Sequence, residues 1–161
     1  MPNPVKELLL GRGWAGKTIS RAETVERLNP LVRQHIELNH YYRAAFRSHG
    51  DPAVVEALQR VQKTARADVG KLTETIHSCG GTPYNGTDLK SKDFALEGTD
   101  TEMLRTLQNM EQEFHDALVH ERKNVEHQMR TRGLLEALTS NSKERLDLLG
   151  DLIERADAAA A

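Results

Sequence analysis

Residues 28–81 decide the fold, and they read LNPLVRQHIELNHYYRAAFRSHGDPAVVEALQRVQKTARADVGKLTETIHSCGG. Apolar side chains recur every three or four residues, first from Leu28 to Ser48 and again from Pro52 to Cys79, which is the spacing of helices with one buried face. The tripeptide Gly50-Asp51-Pro52 separates the two runs. Glycine can end a helix, aspartate can cap the next one, and proline suits its first turn. A connection this short predicts two antiparallel helices.

The segment after Cys79 begins GGTPYNG and shows no helical pattern. The third helix is predicted from about Asp100 to Arg132, because Thr99 and Glu102 form a capping box and Gly133 provides a stop. The connection of roughly twenty residues is long enough to cross the bundle from one end to the other. The second and third helices are therefore predicted to start at the same end.

A fourth helix is predicted from Leu134 to Ala158, with a break near Ser140 as an alternative. No segment alternates apolar and polar residues as a strand does. We therefore predict an all-α protein, an antiparallel four-helix bundle over residues 21–161 with a long crossover between its second and third helices. Residues 1–20, which are rich in glycine and proline, are predicted to form an N-terminal arm.

Composition excludes several classes of function. The chain has 161 residues and a net charge of -2, which gives no electrostatic basis for binding nucleic acid or an anionic membrane. Its single cysteine, Cys79, excludes an internal disulfide and a cysteine-rich zinc site. No apolar run approaches the length of about 20 residues that spans a bilayer. We expect a cytoplasmic protein with neither nucleic acid nor membrane as a partner.

The N-terminal arm contains a match to the phosphate-binding pattern G-x-x-x-x-G-K-[ST], through Gly11, Gly16, Lys17 and Thr18. In that pattern, backbone amides and the lysine hold phosphates, and the hydroxyl holds magnesium. The pattern requires a buried strand before it and a parallel sheet around it, and neither is predicted here. We interpret the match as a coincidence in a basic arm and keep nucleotide binding as an alternative function.

Polar residues interrupt the apolar stripes at positions that face the interior. On the first helix these are His35, Asn39 and Tyr42, which share the spacing of their apolar neighbours. Asp68 holds such a position on the second helix, and Glu111 holds one in the middle of the third. A buried carboxylate must be paired or neutralised, because an isolated charge in the interior is very costly.

Two helical hairpins joined by a long crossover, together with Tyr42-Arg43-Ala44-Ala45, Asp51-Pro52 and Gly80-Gly81, resemble the ferritin-like superfamily. The similarity covers roughly residues 25–157 and is greatest to small bacterial members of unassigned function. It implies a di-iron site built from a glutamate on each of two helices and a Glu-x-x-His motif on each of the other two.

Most of these ligands are missing when the resemblance is carried over by position. The corresponding positions are His35 or Gln34, Ala65 and Asp68, Glu111, and Ser142 and Arg145, or Glu144 and Asp147 in a shifted register. One or two keep the residue type of the ligand, so the resemblance implies a degenerate di-iron site.

We therefore predict that an ion pair between Asp68 and Arg145, joined by Glu111 and His35, replaces the metals. The full interior network is predicted to contain His35, Asn39, Tyr42, Asp68, Glu111 and Arg145. Two alternatives remain: one ion such as zinc held by His35, Asp68 and Glu111, or a di-metal centre that oxidises or stores iron. We expect no cofactor, and iron or zinc are the alternatives.

The function expected from this interior is non-enzymatic. The resemblance implies a structural or interaction module of the stress-associated kind. An exposed helix face is expected to join copies of the chain into a homodimer or a larger homo-oligomer.

Overall fold

The computed structural model describes residues 20–125 and 128–161. This part of the chain contains no strand, and the predicted all-α four-helix architecture is confirmed. The elements are α1 (Arg21–Ser48), α2 (Pro52–Ser78), a short 3-10 helix (Ser91–Phe94), α3 (Asp100–Asn124) and α4 (Met129–Ala160).

The helices pack as two hairpins. α1 lies along α2 and α3 lies along α4, while α1 also packs on α3 and α2 on α4. The order around the bundle is therefore α1, α2, α4, α3. Leucines from all four helices fill the interior, around two fully buried aromatic side chains, Tyr42 and Phe114.

The crossover between α2 and α3 runs along α1. Near its start, the Thr82 carbonyl accepts a hydrogen bond from Asn29 Nδ2 at 3.1 Å, and further on the 3-10 helix packs on α1. At its end, Asp100 Oδ2 accepts a hydrogen bond from the Gly50 backbone N–H at 3.0 Å. Since Gly50 lies in the α1–α2 turn, α2 and α3 start at the same end of the bundle, as predicted.

Helix starts follow their capping residues. The predicted capping box of Thr99 and Glu102 is confirmed, with both of its hydrogen bonds present. The predicted start of the first helix at Leu28 is wrong: α1 begins at Arg21, because the Ser20 hydroxyl accepts a hydrogen bond from the Glu23 backbone N–H at 3.0 Å.

The boundary between the third and fourth helices was also predicted wrongly. α3 ends at Asn124 and α4 begins at Met129, so Gly133 lies inside α4. An interior glycine costs only about 1 kcal/mol relative to alanine, which the buried neighbour Leu135 can offset by packing in the core. The alternative break near Ser140 is wrong as well, since α4 is continuous there.

Two further predictions concern the rest of the chain. The arm with Gly11, Gly16, Lys17 and Thr18 lies outside the described residues. Within residues 20–125 and 128–161, every helix is too short or too polar to cross a lipid bilayer.

Candidate functional site: a buried polar network

A carboxylate, Glu111, lies in the centre of the bundle with none of its surface exposed. The helical repeat of α3 places it on the same face as Leu107 and Phe114, which are fully buried. The Tyr42 hydroxyl of α1 donates a hydrogen bond to Glu111 Oε2 at 2.6 Å, and the Ser142 hydroxyl of α4 donates one to Oε1 at 2.5 Å. Glu111 therefore connects three helices.

The Arg145 guanidinium lies between Glu111 and a second buried carboxylate, Asp68. Its Nε donates a hydrogen bond to Glu111 Oε2 at 3.0 Å, and its Nη1 donates one to Asp68 Oδ2 at 3.2 Å. Nη2 lies 3.0 Å from Glu111 Oε1 but makes no aligned hydrogen bond, so this third contact is electrostatic. Arg145 thus holds α4 against both α2 and α3.

Asp68 has two further partners. Asn141 Nδ2 donates to Asp68 Oδ1 at 3.0 Å and lies 3.2 Å from Oδ2. Lys71 Nζ lies 3.3 Å from Oδ1, with half of its own side chain exposed. Asp68 and Glu111 supply two negative charges and Arg145 and Lys71 two positive ones, so the network has no net formal charge. This is the condition under which charged groups are tolerated in an interior.

The electrostatics of the site keep Arg145 charged and Tyr42 neutral. Burial lowers the pKa of Arg145, but the charge and hydrogen bond of Glu111 outweigh it, so the pKa is raised above its ordinary value. Burial, reinforced by the charge of Glu111, raises the pKa of Tyr42 well above 10. The phenol therefore keeps its proton and acts as a hydrogen-bond donor.

His35 lies in the same interior without a hydrogen bond. Both ring nitrogens are buried and have no partner among the described residues. The ring packs on Phe114, with the centroids 4.3 Å apart and the planes at 32°. Burial first, and then the charge of Arg145, lower the pKa of His35 well below 6.5. His35 is thus a neutral imidazole, and not a charged member of the network.

The structure brings together four of the six predicted network residues: Tyr42, Asp68, Glu111 and Arg145. His35 and Asn39 are also buried, but the Asn39 side-chain oxygen, like the His35 ring, lacks a hydrogen-bond partner in the described part of the chain.

Three members of the network were not assigned to it from the sequence: Lys71, Asn141 and Ser142. Their spacing along the helix from Asp68 or Arg145 could have identified each of them. Lys71 is three residues from Asp68, and Asn141 and Ser142 are four and three residues from Arg145, the spacings at which side chains of one helix face are neighbours.

Comparison with known proteins gives a match by structure alone. No family model and no curated protein sequence matches the chain. The crystal structure of a ferritin-like, diiron-carboxylate protein from Bacillus anthracis str. Ames superimposes with a TM-score of 0.70 at 15% sequence identity, covering 84% of this chain and 99% of that chain. The fold is ferritin-like. The resemblance predicted from the sequence is confirmed at the level of the fold.

The six positions carried over to this ferritin-like bundle are all buried, and they are occupied by His35, Ala65, Asp68, Glu111, Ser142 and Arg145. Their side chains do not fit a di-iron centre. Across the part of the chain that the structure describes, no three His, Cys, Asp or Glu side chains are grouped so that they could hold a metal ion. His35, Asp68 and Glu111, the set predicted for a single ion, therefore do not form such a group. A permanent cation, Arg145, contacts both carboxylates instead.

Proposed function

We propose that this chain is a metal-independent ferritin-like bundle, with a structural or interaction role rather than the activity of an iron oxidase. The single observation that supports this proposal is the Arg145 guanidinium, which lies within 3.2 Å of both buried carboxylates. A guanidinium is always charged in proteins, so it repels a metal cation from the place between Asp68 and Glu111.

The lone pairs of the carboxylates are already engaged. Glu111 accepts hydrogen bonds from Tyr42, Ser142 and Arg145, and Asp68 is held by three donors of its own. Iron requires several carboxylates and imidazoles that converge with free lone pairs. Releasing these oxygens would leave the Arg145 charge buried and unpaired, which is strongly unfavourable.

The network also lacks the features of a catalytic site. Catalysis requires access of a substrate to a reactive group, whereas Tyr42, Glu111 and Ser142 are completely buried. The arrangement of donors and acceptors instead holds α1, α2, α3 and α4 in register. An interior network that connects all four helices in this way favours one packing arrangement over its alternatives.

Elemental analysis of the full chain, purified from cells grown with added iron and zinc, tests the proposal. After dialysis against a weak chelator, we expect far less than one ion per chain, and ferrous iron added in air should oxidise at the rate seen in buffer. Retention of one or two iron ions together with faster oxidation would contradict the proposal. Stoichiometric zinc that is lost in His35→Ala would support the single-ion alternative.

An interaction role includes the predicted self-association, which light scattering on the purified chain measures directly. The only large apolar side chain exposed in residues 20–125 and 128–161 is Met129. We therefore expect any homodimer to be held mainly by polar contacts and to dissociate at high salt. A monomer at every concentration and ionic strength would remove self-association from the proposal.

A further inference from the structure

A groove of about 610 Å³ lies between α1 and α2, with Asn85 of the crossover at its margin. Three arginines line it, Arg43 and Arg47 on α1 and Arg66 on α2, and no carboxylate does. The groove therefore presents three positive charges in a chain whose net charge is -2. Concave surfaces lined by one sign of charge concentrate ions of the opposite sign.

The three arginines of this groove have no carboxylate partner among the described residues. Arg43, Arg47 and Arg66 form no ion pair within residues 20–125 and 128–161. Arg43 and Arg47 are four residues apart on one helix, where like charges repel and weaken the helix. The groove between α2 and α4 is different, because it contains Glu144 as well as arginines. Since no carboxylate of the described residues pairs with the three arginines, a bound anion is the simplest partner for them.

The remaining lining of the groove indicates the chemical character of the rest of the ligand. Ile36, Phe46 and Val69 line it beside the arginines, and all three are half-buried. A site of this volume that combines apolar walls with a few charged groups has the size and character of small-molecule sites. The ligand therefore has a charged head and an apolar body.

We propose that this groove binds a small phosphate monoester with an apolar or aromatic substituent. A phosphate monoester carries a charge of about −1.5 to −2 at neutral pH and three strong acceptor oxygens. Guanidinium groups match these oxygens with paired hydrogen bonds, and three arginines can share them. A carboxylate has only one charge and two oxygens, so it satisfies such a groove less well.

Calorimetric titration of the full chain with phenyl phosphate at low salt tests the proposal. We expect saturable binding that weakens as salt is added, and a loss of affinity of about tenfold for each of Arg43→Gln and Arg66→Gln, since each removes hydrogen bonds between charged groups. These side chains are exposed, so helical content should not change. Arg60→Gln is the matched control, because Arg60 is also an exposed arginine of α2 but does not line the groove; its affinity should be that of the parent.

Three further titrations test the class of ligand and the location of the site. Inorganic phosphate and benzoate should each bind more weakly than phenyl phosphate, and equal affinity for either would overturn the proposal. Loss of binding in Arg60→Gln to the same extent as in Arg66→Gln would also overturn it. A loss in Lys17→Ala with no change in the groove variants would place the phosphate on the N-terminal motif instead.

Discussion

Arg145→Met is expected to be among the most damaging single substitutions in this bundle. Methionine keeps the length and much of the volume of the side chain but removes the charge that faces Asp68 and Glu111. Both carboxylates have no exposed surface, and the remaining cation, Lys71, contacts only Asp68. Breaking a buried ion pair by removing one partner costs about 3–5 kcal/mol, and we expect a loss of unfolding free energy in that range.

Urea denaturation followed by circular dichroism measures this loss as a lower midpoint at an unchanged slope. In a chain of this size, 1 kcal/mol corresponds to about 2–4 °C in melting temperature, so the melting temperature should fall by roughly 6–20 °C. Arg155→Met is the matched control. Arg155 lies on the same helix but is exposed and outside the network, and its replacement should change stability by less than about 0.5 kcal/mol.

A triple variant separates charge from packing. Asp68→Asn and Glu111→Gln, added to Arg145→Met, remove the buried charges while keeping side-chain size. If unpaired charge causes the loss, this variant should recover at least about half of it. The reasoning is refuted if Arg145→Met is as stable as Arg155→Met, or if the triple variant is less stable than Arg145→Met alone.

Three other predictions follow from the same interior. His35→Leu removes two unpartnered buried nitrogens and should stabilise the bundle by about 1 kcal/mol at neutral pH. Burial and the charge of Arg145 depress the folded-state pKa of His35, so the stability of the parent should fall as the pH drops below the unfolded pKa of about 6.5. Urea midpoints should therefore show the advantage of His35→Leu growing as the pH is lowered from about 6.5 to about 5; an advantage independent of pH would contradict this. Tyr42→Phe removes a hydrogen bond to a buried carboxylate and should cost about 1.5–3 kcal/mol by urea denaturation, whereas a neutral effect would mean that Glu111 does not need this donor. Restoring the ligand types carried over from the ferritin-like resemblance should let the chain take up iron stoichiometrically by elemental analysis, and a folded variant without iron would show that these positions do not correspond to ligands. The substitutions are His35→Glu, Ala65→Glu, Asp68→His, Ser142→Glu and Arg145→His.

Periodicity was sufficient to predict the helices and their inward faces. A residue seven positions from two buried leucines faces the same side of a helix as they do, so Glu111 could be placed in the interior without a structure. The lengths of the connections then predicted the relative directions of successive helices. A turn of a few residues requires the next helix to run antiparallel, and a long crossover allows it to run parallel.

The boundary between α3 and α4 could not be predicted in this way. The segment between Asn124 and Met129 contains neither glycine nor proline, and Gln128, the N-cap of α4, is not one of the preferred capping residues. Val125, directly after α3, and Leu135, in the second turn of α4, are both fully buried, so both helix ends near this boundary are held by packing in the core. Gly133, the residue that looked like a stop, is exposed and has open space around it.

The sequence was also insufficient to distinguish buried residues that bond to the network from buried residues that only lie near it. His35 and Tyr42 are one helical heptad apart and equally buried, yet Tyr42 reaches Glu111, whereas the His35 ring has no hydrogen bond to any described residue. The difference depends on side-chain length and rotamer, which periodicity does not encode. Both Glu111 and His35 were predicted to join the pair of Asp68 and Arg145, and only the distances between the helices distinguish Glu111, which contacts Arg145, from His35, which does not.

Arg145 makes the charge balance of the interior a property of the chain itself rather than of a bound ion. A carboxylate cluster built for metal is left with uncompensated charge when the ion leaves, so its stability depends on metal concentration. A guanidinium neither dissociates nor loses its proton, so Arg145, together with Lys71 beside Asp68, compensates the two carboxylates. Replacing Arg145 leaves two buried carboxylates against the single charge of Lys71, whereas replacing Asp68 or Glu111 leaves one carboxylate paired with Arg145. The proposed independence from metal and a high sensitivity to replacement of Arg145 are thus two consequences of one arrangement.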